Sequence, residues 1–95
     1  MAILRIQHAI PDYGRWKVAF DNDPADRAAS GVLRYWIRRP VDDPLFVMID
    51  LEFATVSQAE ALLRTMQGVW SSGRAPVSAT PQAWIVETAE EVELA

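Results

Sequence analysis

Apolar and polar residues alternate along residues 2 to 10, with Leu4, Ile6, His8 and Ile10 on one side and Ile3, Arg5, Gln7 and Ala9 on the other. A period of two predicts a half-buried first strand, and here it places an imidazole on the apolar side. Pro11 and Asp12 end the alternation, and the Asp12 carboxylate can cap a helix that begins near Tyr13 and runs to about Asn22. Tyr13, Trp16 and Phe20 recur at i, i+3 and i+7, giving that helix an aromatic face. Asp21, Asn22, Asp23 and Pro24 break the pattern. Ala25 to Ser30 leaves room for one more turn before Gly31 releases the chain into a second strand.

The strongest strand pair covers residues 32 to 39 and 45 to 53, joined by the charged turn Pro40 to Pro44. Leu45, Val47, Ile49, Leu51 and Phe53 fall on one face of the second member. Ser57 and Glu60 have the spacing of a capping box, and Ala59, Leu62, Leu63, Met66 and Trp70 continue from it as an amphipathic helix that Gly68 is expected to end. Residues 71 to 82 read as a loop, 83 to 88 as a last strand, and the segment from about 89 as an acidic tail.

The order strand, helix, strand, strand, helix, strand predicts an α+β fold of the ferredoxin-like split βαβ kind (βαββαβ). Its four-stranded antiparallel sheet would carry both helices on one face. The other face would expose Ile3, Ala9, Trp36, Phe46 and Met48 amid Arg5, Arg34, Asp50 and Glu52. Partial hydrophobicity there predicts a cover, and self-association through opposed sheets is the economical one. Arg5 beside Asp50 or Glu52, with Glu87 near the other edge, reads as structural charge pairing; the same carboxylates would also suit a general acid and base.

Length and charge narrow the function classes. A chain of 95 residues is expected to form a single domain spanning 1–95, too small for separate binding and catalytic modules. Residues 1–40 hold seven basic and four acidic side chains (+3) and residues 41–95 two and nine (−7), summing to the net −4. That balance argues against nucleic acid, although Arg34, Arg38 and Arg39 cluster around Tyr35 and Trp36. The absence of cysteine removes disulfides, thiolate catalysis and cysteine-held metals. Arg5 interrupts any apolar leader and no membrane span is evident, so a soluble cytoplasmic protein is the expectation. One histidine with scattered carboxylates has no metal-ligand spacing, and the four glycines form no phosphate-cradling loop, so no metal, flavin or nicotinamide is implied.

The first strand ending in His8, the Asp12-Tyr13 and Trp16-Lys17 elements with Phe20, the Leu51-Glu52-Phe53 strand end and the capped helix at Ser57 together resemble the dimeric α+β barrel superfamily. The likeness spans nearly the whole chain and is nearest to the small antibiotic-biosynthesis monooxygenase-like proteins. It implies two ferredoxin-like subunits with facing sheets, forming a homodimer. Some members oxygenate aromatic substrates without metal or flavin; others degrade haem, process small metabolites or have no assigned reaction.

On that resemblance the expected ligand is a small aromatic or quinone-like molecule. His8 is the candidate base or proton shuttle, since its titration range spans neutrality. Tyr13 would add a hydrogen bond and Arg34 an oxyanion contact if it turns toward the cavity. Trp16, Phe20 and Met66 would line the apolar end. Two other readings use the same residues: a cyclase or isomerase with His8 as shuttle, and a ligand-binding or structural dimer in which the aromatics are simply core.

Overall fold

A computed structural model describes residues 1–73 and 78–95. Its elements run β1 (Ala2–Ala9), α1 (Tyr13–Asp21), β2 (Arg34–Arg38), β3 (Phe46–Phe53), α2 (Val56–Ser71) and β4 (Gln82–Glu87). The strands form one antiparallel sheet in the order β2-β3-β1-β4, the ferredoxin-like arrangement expected from the sequence. Part of the expected 71–82 loop, residues 74–77, lies outside the described residues. After Glu87 the tail joins no helix or strand and is exposed to its end.

Register separates the sheet into two faces, because side chains directly opposite one another share a side. One face stacks Tyr35, Leu51, Leu4 and Ile85 in one row and Ile37, Ile49, Ile6 and Ala83 in the next, with Val47 opposite His8. The helices cover this side, and the core there joins Leu4, Ile6, Ile10, Trp16, Val47, Ile49, Leu51, Phe53, Ala59 and Leu62. Leu45, expected in that row, precedes β3 and is half exposed; its carbonyl accepts the Ile10 amide at 2.8 Å.

The uncovered face carries Trp36, Asp50, Arg5 and Trp84 in register across all four strands. Arg5 grips Asp50 through two hydrogen bonds of 2.8 and 3.0 Å, and Arg34 donates to Glu52 at 2.8 Å. Charge pairing is therefore what these groups do. Glu87 does not join them: it lies opposite Ala2, on the helix side of the pleat.

Three local devices set the helices. The Asp12 carboxylate accepts the Arg15 amide at 2.8 Å and starts α1 where the sequence placed it. The capping box of α2 is formed by Thr55 and Gln58, two residues before the expected Ser57 and Glu60. Gly68 sits inside α2, which continues to Ser71; the left-handed residue beyond the cap is Gly73, with φ of 76°.

Candidate active site

Between the helix side of the sheet and the two helices lies a cavity of about 180 Å³ that opens to solvent. Its floor is strand: Ile6, His8, Ile49 and Leu51. Its walls come from Trp16 and Phe20 of α1 and Leu62, Met66 and Trp70 of α2. A cavity of roughly 150 Å³ encloses a benzene ring. This one therefore has room for an aromatic ring and some to spare.

His8 is buried, and alternation along β1 turns it inward beside Ile6. Its Nδ1 lies 3.1 Å from the Ala9 carbonyl oxygen, which can only accept, so Nδ1 carries the proton. Burial pushes the imidazole below its ordinary titration range, opposed in part by that hydrogen bond. The neutral ring thus keeps a lone pair on Nε2. Among the described residues Nε2 has no hydrogen-bond partner, yet no fully enclosed side-chain nitrogen or oxygen lacks one. Nε2 is accordingly open to the cavity that His8 lines. The Trp16 ring stands edge-on to the imidazole, 6.1 Å between centroids.

Trp16 also begins the cavity's aromatic wall. Its ring is 5.1 Å from Phe20, and Phe20 is 5.2 Å from Tyr35 on β2. Such spacings are those of stable ring pairs, and they fix the wall without polar atoms.

Four of the six residues expected at the site therefore meet at one cavity: His8, Trp16, Phe20 and Met66. Tyr13 stands one ring behind the wall, 5.8 Å from Trp16, with the Arg39 guanidinium 4.2 Å from its own ring centroid. Arg34 does not reach the cavity. It is opposite Glu52 on the uncovered face, and its guanidinium is spent on that carboxylate and on the Trp36 ring 5.0 Å away. Among the described residues the cation at the cavity is instead Arg27, which the sequence pattern did not single out. The available signals were Asp23 four residues before it and Phe20 seven before it.

Arg27 is positioned by the turn after α1. Asp23 and Asp26 both adopt left-handed backbone, φ of 53° and 49°, which aspartate tolerates better than most residues. The Asp23 carboxylate accepts the Arg27 amide at 2.8 Å, and Arg27 Nη1 donates to the Phe20 carbonyl at 2.8 Å. The guanidinium then lies over the Phe20 ring, 3.8 Å from its centroid. Among the described residues no three His, Asp or Glu side chains are grouped to hold a metal ion, and no helix is long and apolar enough to cross a membrane.

No protein-family model matches the chain, and no curated protein matches it. Solved structures do. SnoaB, a cofactor-independent oxygenase from Streptomyces nogalater, superposes with a TM-score of 0.74 at 12% identity, over 96% of this chain and 95% of that one. A Deinococcus radiodurans protein provisionally named an antibiotic biosynthesis monooxygenase gives 0.65 at 13% identity, over 100% and 99%. A dimeric ferredoxin-like protein from an uncultured marine organism gives 0.65 at 10%, over 96% and 97%. The ferredoxin-like α+β fold expected from the sequence is thus shared with these proteins.

Proposed function

We propose that this protein is a small oxygenase that brings an aromatic phenol and dioxygen together without a metal or flavin, with His8 moving the protons. The observation that carries the proposal is the neutral imidazole whose free Nε2 opens into an aromatic-walled cavity with Arg27 at its edge. The shared fold with a cofactor-independent oxygenase supports the same reading.

The chemistry can be followed on α-naphthol, a small aromatic phenol. His8 Nε2 takes the phenol proton, and the electron-rich phenolate gives one electron to dioxygen. The resulting radical pair recombines at the ring carbon para to the oxygen, and His8 returns its proton to the peroxide. Loss of the C–H proton from that carbon then breaks the O–O bond. One oxygen becomes the new carbonyl and the other leaves as water, so α-naphthol and dioxygen yield naphthoquinone and water. Burial serves the first step by keeping the imidazole unprotonated near neutrality, and the apolar wall excludes water from the radical pair.

Two copies facing each other through the uncovered sheet complete this reading. Trp84 is 46% exposed and Met48 36% there, flanking the Arg5–Asp50 pair, and an opposed sheet would bury both.

Oxygen uptake with α-naphthol tests the proposal. Uptake matched by naphthoquinone carrying label from dioxygen, abolished in His8→Ala with the fold intact, is the expected result. Conversion without oxygen uptake would assign a cyclase or isomerase, and saturable binding with no conversion a binding protein.

A further inference from the structure

The cavity's charge is one-sided. Among the described residues, Arg27 and His8 are the ionisable groups on its lining, and no carboxylate lines it. Asp23 forms an i,i+4 ion pair with the guanidinium, its Oδ1 3.4 Å from Nη1, but the same oxygen also accepts the Arg27 amide and Nη1 also donates to the Phe20 carbonyl, so the pair engages one nitrogen only. Nε and Nη2 of Arg27 make no hydrogen bond among the described residues. The side chain is nonetheless only 16% exposed, pressed between Phe20 and the Tyr35 ring, whose centroid is 5.3 Å away. A guanidinium fixed on ring faces at the edge of an apolar cavity, with donors left over, is a preorganised anion contact.

Asn22 and Pro24, both exposed, share this edge with Arg27 and mark it as the opening. His8 lies on the sheet floor. A ligand entering between α1 and the following turn therefore meets the imidazole with its inner end and the guanidinium with its outer end.

We infer that the cavity selects aromatic acids, with the ring between Trp16, Phe20 and Met66 and a carboxylate on Arg27. The inference rests on the oxygenase reading only for what happens next; binding itself needs no turnover. Arg27 is a specificity-determining residue in this account, and the substrate class becomes a phenol bearing a carboxylate.

The test compares hydroxynaphthoate with hydroxynaphthamide, its uncharged isostere, by quenching of tryptophan fluorescence, since Trp16 and Trp70 both line the cavity. A charge-assisted contact at a partly buried site predicts at least about tenfold tighter binding of the carboxylate in the wild-type protein. Arg27→Gln should bring the two affinities together, and Arg27→Lys should retain part of the preference. His8→Ala should leave the preference in place while ending any turnover, which separates failure of this inference from failure of the oxygenase reading. Wild-type protein that binds both probes equally, or neither, overturns the inference, and so does an unchanged preference in Arg27→Gln. Because the wild-type comparison stands alone, the test survives a variant that does not fold.

Discussion

Replacing His8 by Gln removes the imidazole while keeping a neutral polar side chain of similar length. The variant should change how stability responds to acid. In the unfolded chain His8 titrates near its ordinary value of 6.5; in the fold, burial lowers that value. Well above the ordinary value neither state holds the proton and His8 contributes no pH dependence. Below it the unfolded chain takes the proton while the folded imidazole resists, so acid favours unfolding. At about one pH unit below the ordinary value the unfolded chain can gain at most about 1.4 kcal/mol from this proton. Proton uptake by the fold reduces that figure, so about 1.4 kcal/mol is the ceiling and the sign is the prediction. Urea titrations of both proteins at about pH 7.5 and about pH 5.5 give the difference directly, because the carboxylates common to both cancel. Wild type should lose more stability than His8→Gln on acidification, by no more than about 1.4 kcal/mol. Equal losses, or a relative gain by wild type, would mean that the folded imidazole accepts a proton readily, and the argument for a neutral base would fail.

The two candidate capping boxes can be told apart by alanine substitution. Thr55→Ala should cost about 1 kcal/mol in a urea titration and Ser57→Ala only a few tenths, because the Thr55 hydroxyl accepts the Gln58 amide; equal effects would contradict the assignment. Gly31 has φ of 97°, and a Cβ there would stand 2.7 Å from the Gln58 side chain, so Gly31→Ala should lower stability by about 1–2 kcal/mol and reach the same capping box. A stability equal to wild type would refute the conformational argument. Light scattering should give wild type a mass near twice the 10.7 kDa of one chain at micromolar concentration, and Trp84→Glu a monomer. A wild-type monomer would refute pairing through the open sheet.

How legible the molecule was depended on whether a feature is written in local spacing. Strand β1 and helix α1 were, because alternation and the 3.6-residue period differ sharply on either side of Pro11 and Asp12. That spacing also aimed His8, Trp16, Phe20 and Met66 at a common side of the sheet. The start of α2 was less distinct, since Thr55 with Gln58 and Ser57 with Glu60 are overlapping versions of one motif. Extended backbone at Thr55, φ of −134°, decides between them. Gly68 looked like a stop because glycine disfavours helix interiors, yet the helix passes through it and reserves left-handed geometry for Gly73. Alternation already put Arg34 on the uncovered face, against an oxyanion role in the cavity, and the β2–β3 register adds that its partner there is Glu52. Arg27 is carried to the cavity by a turn in which Asp23 and Asp26 are both left-handed and Asp23 accepts its amide, a property of the folded turn that no period records.

A single histidine makes the central claim directly measurable, since every imidazole signal in the chain belongs to His8. Nitrogen NMR of that ring reports both tautomer and protonation. The account predicts a neutral imidazole with its proton on Nδ1 at neutral pH, and an Nε2 resonance that moves when α-naphthol is added. A ring protonated on Nε2, or an Nε2 resonance indifferent to the aromatic, would contradict it.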